Sequence, residues 1–227
     1  MRSLRRLVVA SVCLSLVACG GSGTPAEAIS PERLAEIRQL SSAYSGRGVD
    51  ALVDDAEALA LGSELFAAHC ADCHRSDGTG NRGVTDLTAG RYDYGATPDA
   101  ISATIREGRH SEMPGFGDQY NEFGVGQLVS FVASLDQGDE SAQRDSDGRE
   151  YFIEACAACH GENGQGQVLP GASDLTDNYW QYGDSMTNVR SIITNGIEAT
   201  CPAHADQLSA EEIDLLTAFV ASLASSR

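Results

Sequence analysis

Cys70-Ala71-Asp72-Cys73-His74 and Cys156-Ala157-Ala158-Cys159-His160 are two copies of one pentad, Cys-x-x-Cys-His, in a chain of 227 residues. The pentad is the attachment signature of c-type haem. Two sulfurs bond covalently to the porphyrin edge and the adjoining imidazole ligates the iron. A lone Cys-x-x-Cys also serves as part of a zinc knuckle or as a redox disulfide, but here histidine follows both copies without a gap. The expected cofactors are therefore two covalently bound haem c groups. Cys70, Cys73 and His74 hold one, and Cys156, Cys159 and His160 hold the other.

The chain repeats itself around the pentads. Gly62-x-x-x-Phe66 recurs as Gly148-x-x-x-Phe152 at an offset of 86. Asp86-Leu87-Thr88 recurs as Asp174-Leu175-Thr176, and Phe131-Val132-Ala133-Ser134-Leu135 as Phe219-Val220-Ala221-Ser222-Leu223, both at 88. The two additional residues fall in the loop after the second pentad, around Val168-Leu169-Pro170-Gly171. A loop absorbs such an insertion and a helix does not.

Ile101 and Ile105, and Val189, Ile192 and Ile193, recur at helical spacing, and no strand-like alternation persists. Ser30-Pro31 reads as a helix cap with proline at the first position, and Ser209-Ala210-Glu211-Glu212 as a capping box opening the last helix. The expected fold is all-α: two tandem helical domains over residues 61–136 and 148–227, each wrapped around one haem. An acidic linker, 137–147, separates them. A tether and helical segment, 19–60, precedes them, with Leu34, Ile37 and Leu40 on one face to dock against the first domain.

A buried haem iron takes its sixth ligand from a distant loop. Met113, in Glu112-Met113-Pro114-Gly115, lies 39 residues after His74 and is the expected ligand of the first haem. At offset 88, Cys201-Pro202 stands where Met113-Pro114 does, so Cys201 is the expected ligand of the second, with His204 or water as rivals. A thioether favours ferrous iron and a thiolate ferric iron. The second haem is thus expected at the lower potential, with electrons running from it to the first. His69 and His110 read as bystanders; Arg91, Arg106, Arg109 and Trp180 are candidate partners of the haem propionates.

Arg2, Arg5 and Arg6 precede a twelve-residue apolar run, Leu7 to Ala18, too short to span a bilayer and suited to a signal peptide, 1–18. Leu16-Val17-Ala18-Cys19 is similar to a lipobox, which implies export, acylation at Cys19 and a lipid anchor on the periplasmic side of a bacterial membrane. Losing the three arginines of that leader takes the formal charge from −18 to −21. So negative a chain does not bind nucleic acid, and it favours partners with a basic face.

Residues 49–225 resemble the diheme cytochrome c subunit, subunit III, of the bacterial cbb-type haem–copper oxidases, built from class I cytochrome c domains. The resemblance rests on Asn81-Arg82-Gly83, Asp86-Leu87-Thr88, Arg106-Glu107-Gly108-Arg109 before Met113-Pro114, Gly171-Ala172-Ser173-Asp174-Leu175-Thr176-Asp177, Trp180, Tyr182-Gly183 and Pro202-Ala203-His204. It implies iron ligands at His74, Met113 and His160. It also implies electrons received from a quinol-oxidising complex or soluble cytochrome and passed toward a terminal oxidase. The family's second-domain methionine is Cys201 here, and a lipobox stands where the family has a transmembrane helix. The leading expectation is a lipid-tethered diheme electron carrier with no catalytic residue. The alternatives are a sulfur-compound-oxidising diheme enzyme or a haem-based sensor using a Cys-ligated second haem. Against the enzyme, Arg190 is the nearest arginine to Cys201 in sequence, and no basic cluster surrounds it to attract an anion.

Overall fold

The computed structural model describes residues 29–137, 146–166 and 168–225. The expected signal peptide, Cys19 and most of the acidic linker lie outside the described residues. The first helix, α1 (Pro31–Ser41), starts where Ser30 accepts a hydrogen bond from the Arg33 amide at 3.2 Å, with Pro31 at the first position. Asp55 caps α2 (Ala56–His69), which begins earlier than the Gly62–Phe66 motif suggests. A one-turn helix, α3 (Ala71–His74), carries the first pentad; α4 (Pro98–Glu107), β1 (Arg109–Met113) and α5 (Glu122–Leu135) follow. The second repeat supplies α6 (Asp147–Ala155), α7 (Ala157–His160), α8 (Met186–Asn195), β2 (Ile197–Cys201) and α9 (Ala210–Ser225). The Ser209–Glu212 capping box forms, with reciprocal bonds of 2.7 and 3.2 Å. No described helix is long and apolar enough to cross a membrane.

The repeats do not pack in the order in which they are written. Helices α2 and α4 pack against α9 from the far end of the chain, whereas α5 packs against α6 and α8. One core therefore joins Leu65, Phe66 and Ile101 to Leu215, Leu216 and Ala218; the other joins Leu128, Val129 and Phe131 to Phe152, Val189 and Ile193. The repeated Gly-x-x-x-Phe motif does the same work in both. Phe66 stacks on Phe219 with centroids 5.3 Å apart, and Phe131 on Phe152 at 5.1 Å. A Cβ on Gly62 would strike the Leu215 carbonyl and Phe219, and one on Gly148 would strike the Gln127 carbonyl and Phe131. The packed units thus cut across the repeats 61–136 and 148–227: each packed unit borrows its last helix from the other repeat. The identical Phe-Val-Ala-Ser-Leu segments let α5 and α9 fit either position, so chain connectivity alone could not decide between them.

The exchange passes through an antiparallel ribbon, with Arg109 opposite Cys201 and Met113 opposite Ile197. This corrects the all-α expectation in a small way. Each strand has five residues, and its partner lies 88 residues away, so no local pattern reveals it. After each strand the chain stays in the other unit: Phe116 donates to the Ile193 carbonyl at 2.8 Å, and His204 to the Ile105 carbonyl at 3.0 Å. The haem-side loops also meet directly. Gly83 and Gln181 exchange backbone and side-chain bonds of 3.0 and 2.8 Å, and Arg91 pairs with Asp177 at 2.9 Å.

Helix α1 docks on the first core through Ile37 and Leu34, while Leu40 stays 41% exposed and does not join that face. Arg33 clasps Glu64 of α2 in a two-pronged pair, both bonds 2.7 Å. That pairing holds the Glu64 carboxyl below its ordinary value.

Two outcomes follow from this packing. Leu216→Ala, in the last helix, should cost about 2–5 kcal/mol in denaturant unfolding. In hydrogen exchange it should lower protection in α2 more than in α6; the opposite pattern would contradict the exchange of helices. Because the folded Glu64 is the stronger acid, its contribution is complete above the ordinary carboxylate range and fades as pH falls through it. Glu64→Gln should therefore cost about 1 kcal/mol at neutral pH and progressively less under acid conditions, read by thermal melts.

Candidate haem-binding sites

Each pentad begins where its long helix breaks. Cys70 and Cys156 close the long helices, with φ of −122° and −111°, and open the one-turn helices α3 and α7. His74 and His160 donate their amides to the carbonyls of Cys70 and Cys156, both at 2.9 Å. The two cysteines and the histidine, at i, i+3 and i+4, therefore share one face. That is the placement a porphyrin edge and its iron require.

The imidazoles are locked. His74 Nδ1 lies 3.1 Å from the Thr85 carbonyl, and His160 Nδ1 lies 2.9 Å from the Ser173 carbonyl. A carbonyl only accepts, so Nδ1 carries the proton and Nε2 keeps its lone pair for a metal. Burial also lowers the basicity of His74, which keeps it neutral. The repeated Asp-Leu-Thr motif fixes these carbonyls. Asp86 accepts from the Thr88 amide and hydroxyl at 2.8 and 2.6 Å, and Asp174 accepts from Thr176 at the same distances. The motif is visible in the sequence as a repeat, but the group that meets each histidine is a main-chain oxygen with no side-chain signal.

The thiols speak against a redox disulfide. Burial pushes Cys70 up to about 12 and Cys156 up to about 11, whereas a reactive Cys-x-x-Cys needs a depressed thiol. None of the five described cysteines forms a disulfide, and among the described residues no three His, Cys, Asp or Glu side chains converge as a metal-ion site. Two apolar thiols beside one tautomer-locked imidazole fit a covalent haem c in each unit.

After each histidine the chain turns back in a left-handed conformation, at Arg75 (φ 61°) and Gly161 (φ 78°). Gly80 and Gly166 donate to the pentad histidine carbonyls at 2.9 and 2.8 Å, an offset of 86; Asn81 and Leu169 donate to Cys73 and Cys159 at 3.1 and 3.4 Å, an offset of 88. The insertion lies between them, as the repeat predicts.

The sixth-ligand candidates are where the fold departs most from expectation. Met113 packs against the core that contains Phe152 and Cys156, beside the second pentad. Cys201 lies close to the first pentad: burial raises its thiol with Cys73 adding to the effect, and Cys201 in turn adds to the burial that raises Cys70. Met113 thus lies toward the second pentad and Cys201 toward the first, across the pairing expected from the repeat. The offset of 88 gives equivalence between copies, and it is blind to which copy a strand joins. Nor is Arg190 the arginine nearest Cys201, because Arg109 lies directly across the ribbon, although burial still holds the Cys201 thiol above its ordinary value.

His204 is 9% exposed, with its ring 6.1 Å from that of His69, edge to face. His110 lies on the exposed face of the ribbon, 3.2 Å from Thr200. The candidate propionate partners are engaged within the protein: Arg91 with Asp177, Arg106 with Asp214 at 3.3 Å, Arg109 with the Gly108 carbonyl at 2.7 Å, and Trp180 with Asp136 at 3.3 Å.

Comparison with known proteins agrees with this construction. The family model for cytochrome c oxidase, cbb3-type, subunit III matches twice, over residues 57–132 and 143–220. The cbb3-type cytochrome c oxidase subunit CcoP of Rubrivivax gelatinosus is 35% identical over 193 residues, covering 83% of this chain and 62% of that protein. Subunit FixP of Azorhizobium caulinodans is 32% identical over 211 residues, covering 85% and 71%. Subunit CcoP of Cereibacter sphaeroides is 30% identical over 170 residues, covering 70% and 59%. The chain thus spans a little under two thirds of the first of these relatives. With two pentads, two locked histidines and both repeats matched, the chain belongs to the cbb3-type cytochrome c oxidase subunit III family and carries two covalently bound c-type haems.

Proposed function

We propose that this chain is a diheme electron conductor serving a terminal oxidase. It would receive electrons from a quinol-oxidising complex or a soluble cytochrome and hand them on through two haem sites held in one body. The observation that supports this best is the ribbon: Met113 and Cys201 lie on the same, half-buried face of one two-stranded unit, four register positions apart. At about 3.4 Å per residue their Cα atoms are separated by about 14 Å. In this reading both haem sites are referenced to one hydrogen-bonded ribbon, which would hold their separation.

In this reading Cys70, Cys73, Cys156 and Cys159 form the thioether links, and His74 and His160 ligate iron. Bound haem supplies a one-electron ferric–ferrous couple. The protein's part is to hold the imidazoles through Thr85 and Ser173, to exclude water with the two aliphatic cores, and to couple the units through Gly83, Gln181, Arg91 and Asp177. No side chain is assigned a catalytic role. The reading includes export and anchoring through acylated Cys19, which would keep the acidic body, at a formal charge of −18 for the whole chain, near a membrane partner with a basic face.

Mass spectrometry of the exported protein should find two haems per chain, and one in the Cys156→Ala/Cys159→Ala variant. A full-length product with no covalent haem would overturn the reading. Stopped-flow oxidation of the reduced protein by a cbb3-type oxidase should slow roughly tenfold or more from low to high salt, because screening removes electrostatic steering. A rate indifferent to salt would remove the basic-faced partner.

A further inference from the structure

We propose that the sixth iron ligands are exchanged between the repeats. Cys201 serves the Cys70–Cys73–His74 site and Met113 the Cys156–Cys159–His160 site. The proposal rests on the diheme reading above and adds which donor belongs to which iron.

Three independent features point the same way. The first is the packing. Each pentad helix is covered by the last helix of the other repeat, α2 by α9 and α6 by α5, so the strand leading toward each covering helix arrives at that same site. The second is the ribbon. Arg109, Ser111 and Met113 alternate with exposed neighbours on one strand, and Ile197, Ala199 and Cys201 do so on the other. The antiparallel register sends Met113 and Cys201 to opposite ends of that shared inner face.

The third is what lies at each end. Met113 joins the apolar cluster of Phe152 and Cys156. Cys201 faces Arg109 across the ribbon, and its neighbourhood is that of Cys70 and Cys73, with His204 tied to the Ile105 carbonyl just beyond it.

The close approach at each crossing reinforces this geometry. A Cβ on Gly108 would meet the Cys201 carbonyl at 2.6 Å and the Ala203 amide at 2.7 Å. A Cβ on Gly196 would strike the Met113 carbonyl and meet the Gly115 amide at 2.7 Å. Both glycines also adopt φ near +70°, at 68° and 73°, which other residues rarely do. The rival at the first site is His204, whose Nδ1 is buried without a hydrogen-bond partner. Its ring, however, lies edge-on against His69, the residue preceding Cys70, and its amide is tied to Ile105.

The assignment reverses the expected order of potentials. A thiolate stabilises ferric iron and a thioether ferrous iron. The low-potential site is then the one built on His74, and the high-potential site the one built on His160. Electrons run downhill from the first pentad to the second.

The test uses the full-length diheme protein with a nitroxide-bearing unnatural residue at position 42. Ser42 is exposed and lies two residues before Tyr44, which is buried in the first core. Low-temperature electron paramagnetic resonance distinguishes thiolate-ligated from methionine-ligated low-spin ferric haem, and pulsed dipolar spectroscopy then ranks their distances from the label. The expected result is that the thiolate-ligated haem is the nearer, that Cys201→Met abolishes its signal and raises the lower of the two potentials, and that Met113→Ala removes the methionine signature of the farther haem. A nearer methionine-ligated haem would overturn the exchange. So would a signal unchanged in Cys201→Met but lost in His204→Ala. Mass spectrometry on the same samples separates these failures from a failure of the diheme reading, which alone predicts two covalent haems.

Discussion

The pairing of Arg109–Met113 with Ile197–Cys201 is the constraint on which the rest of the molecule depends. Five residues from each repeat lie side by side, and to do so each must enter through a glycine that carries no Cβ and takes a left-handed backbone, Gly108 and Gly196. Once that ribbon forms, neither chain segment can return to its own half. The following helix must bury its apolar face where it has arrived, and so α5 covers the second pentad helix and α9 the first.

This arrangement changes what a repeat means. Two copies that share the Gly-x-x-x-Phe contact and the Phe-Val-Ala-Ser-Leu helix could fold as independent beads joined by the acidic linker. Instead they form two composite units, each incomplete without the other. Phe66 needs Phe219, and Phe152 needs Phe131. The apolar area buried at those crossings belongs to both repeats at once, so neither unit is expected to lose its partner helix without losing its core. For the proposed conductor with two haem sites that would be useful. The distance between the sites is set by covalent and hydrogen-bonded structure, and the length of the linker has no part in it.

Divergence between the two copies is then easier to read. The pentads, the imidazole locks through Thr85 and Ser173, and the Asp-Leu-Thr turns are the same in both, because attaching and orienting a haem makes identical demands. What differs is the donor at each end of the ribbon, a thioether in one strand and a thiol in the other. In the proposed assignment, an identical scaffold with unlike donors would separate two redox centres in energy without altering their geometry.

The sequence by itself determined the cofactors, the helices and the family. Covalent attachment and capping are written in contiguous residues: Cys-x-x-Cys-His, Ser30-Pro31 before α1 and Ser209 with Glu212 before α9. The Asp-Leu-Thr motif was legible as a repeat, though its role in presenting a carbonyl to each histidine was not. Tertiary structure alone decided which repeat each helix and each ligand candidate serves. Met113 and Cys201 occupy equivalent positions in the alignment of the copies, and the α5 and α9 segments share the same Phe-Val-Ala-Ser-Leu stretch. Nothing local therefore distinguishes an exchanged fold from an unexchanged one. The choice is made by backbone hydrogen bonds between strands 88 residues apart and by the absence of a side chain at two glycines, and neither leaves a periodicity that a chain read in order could display.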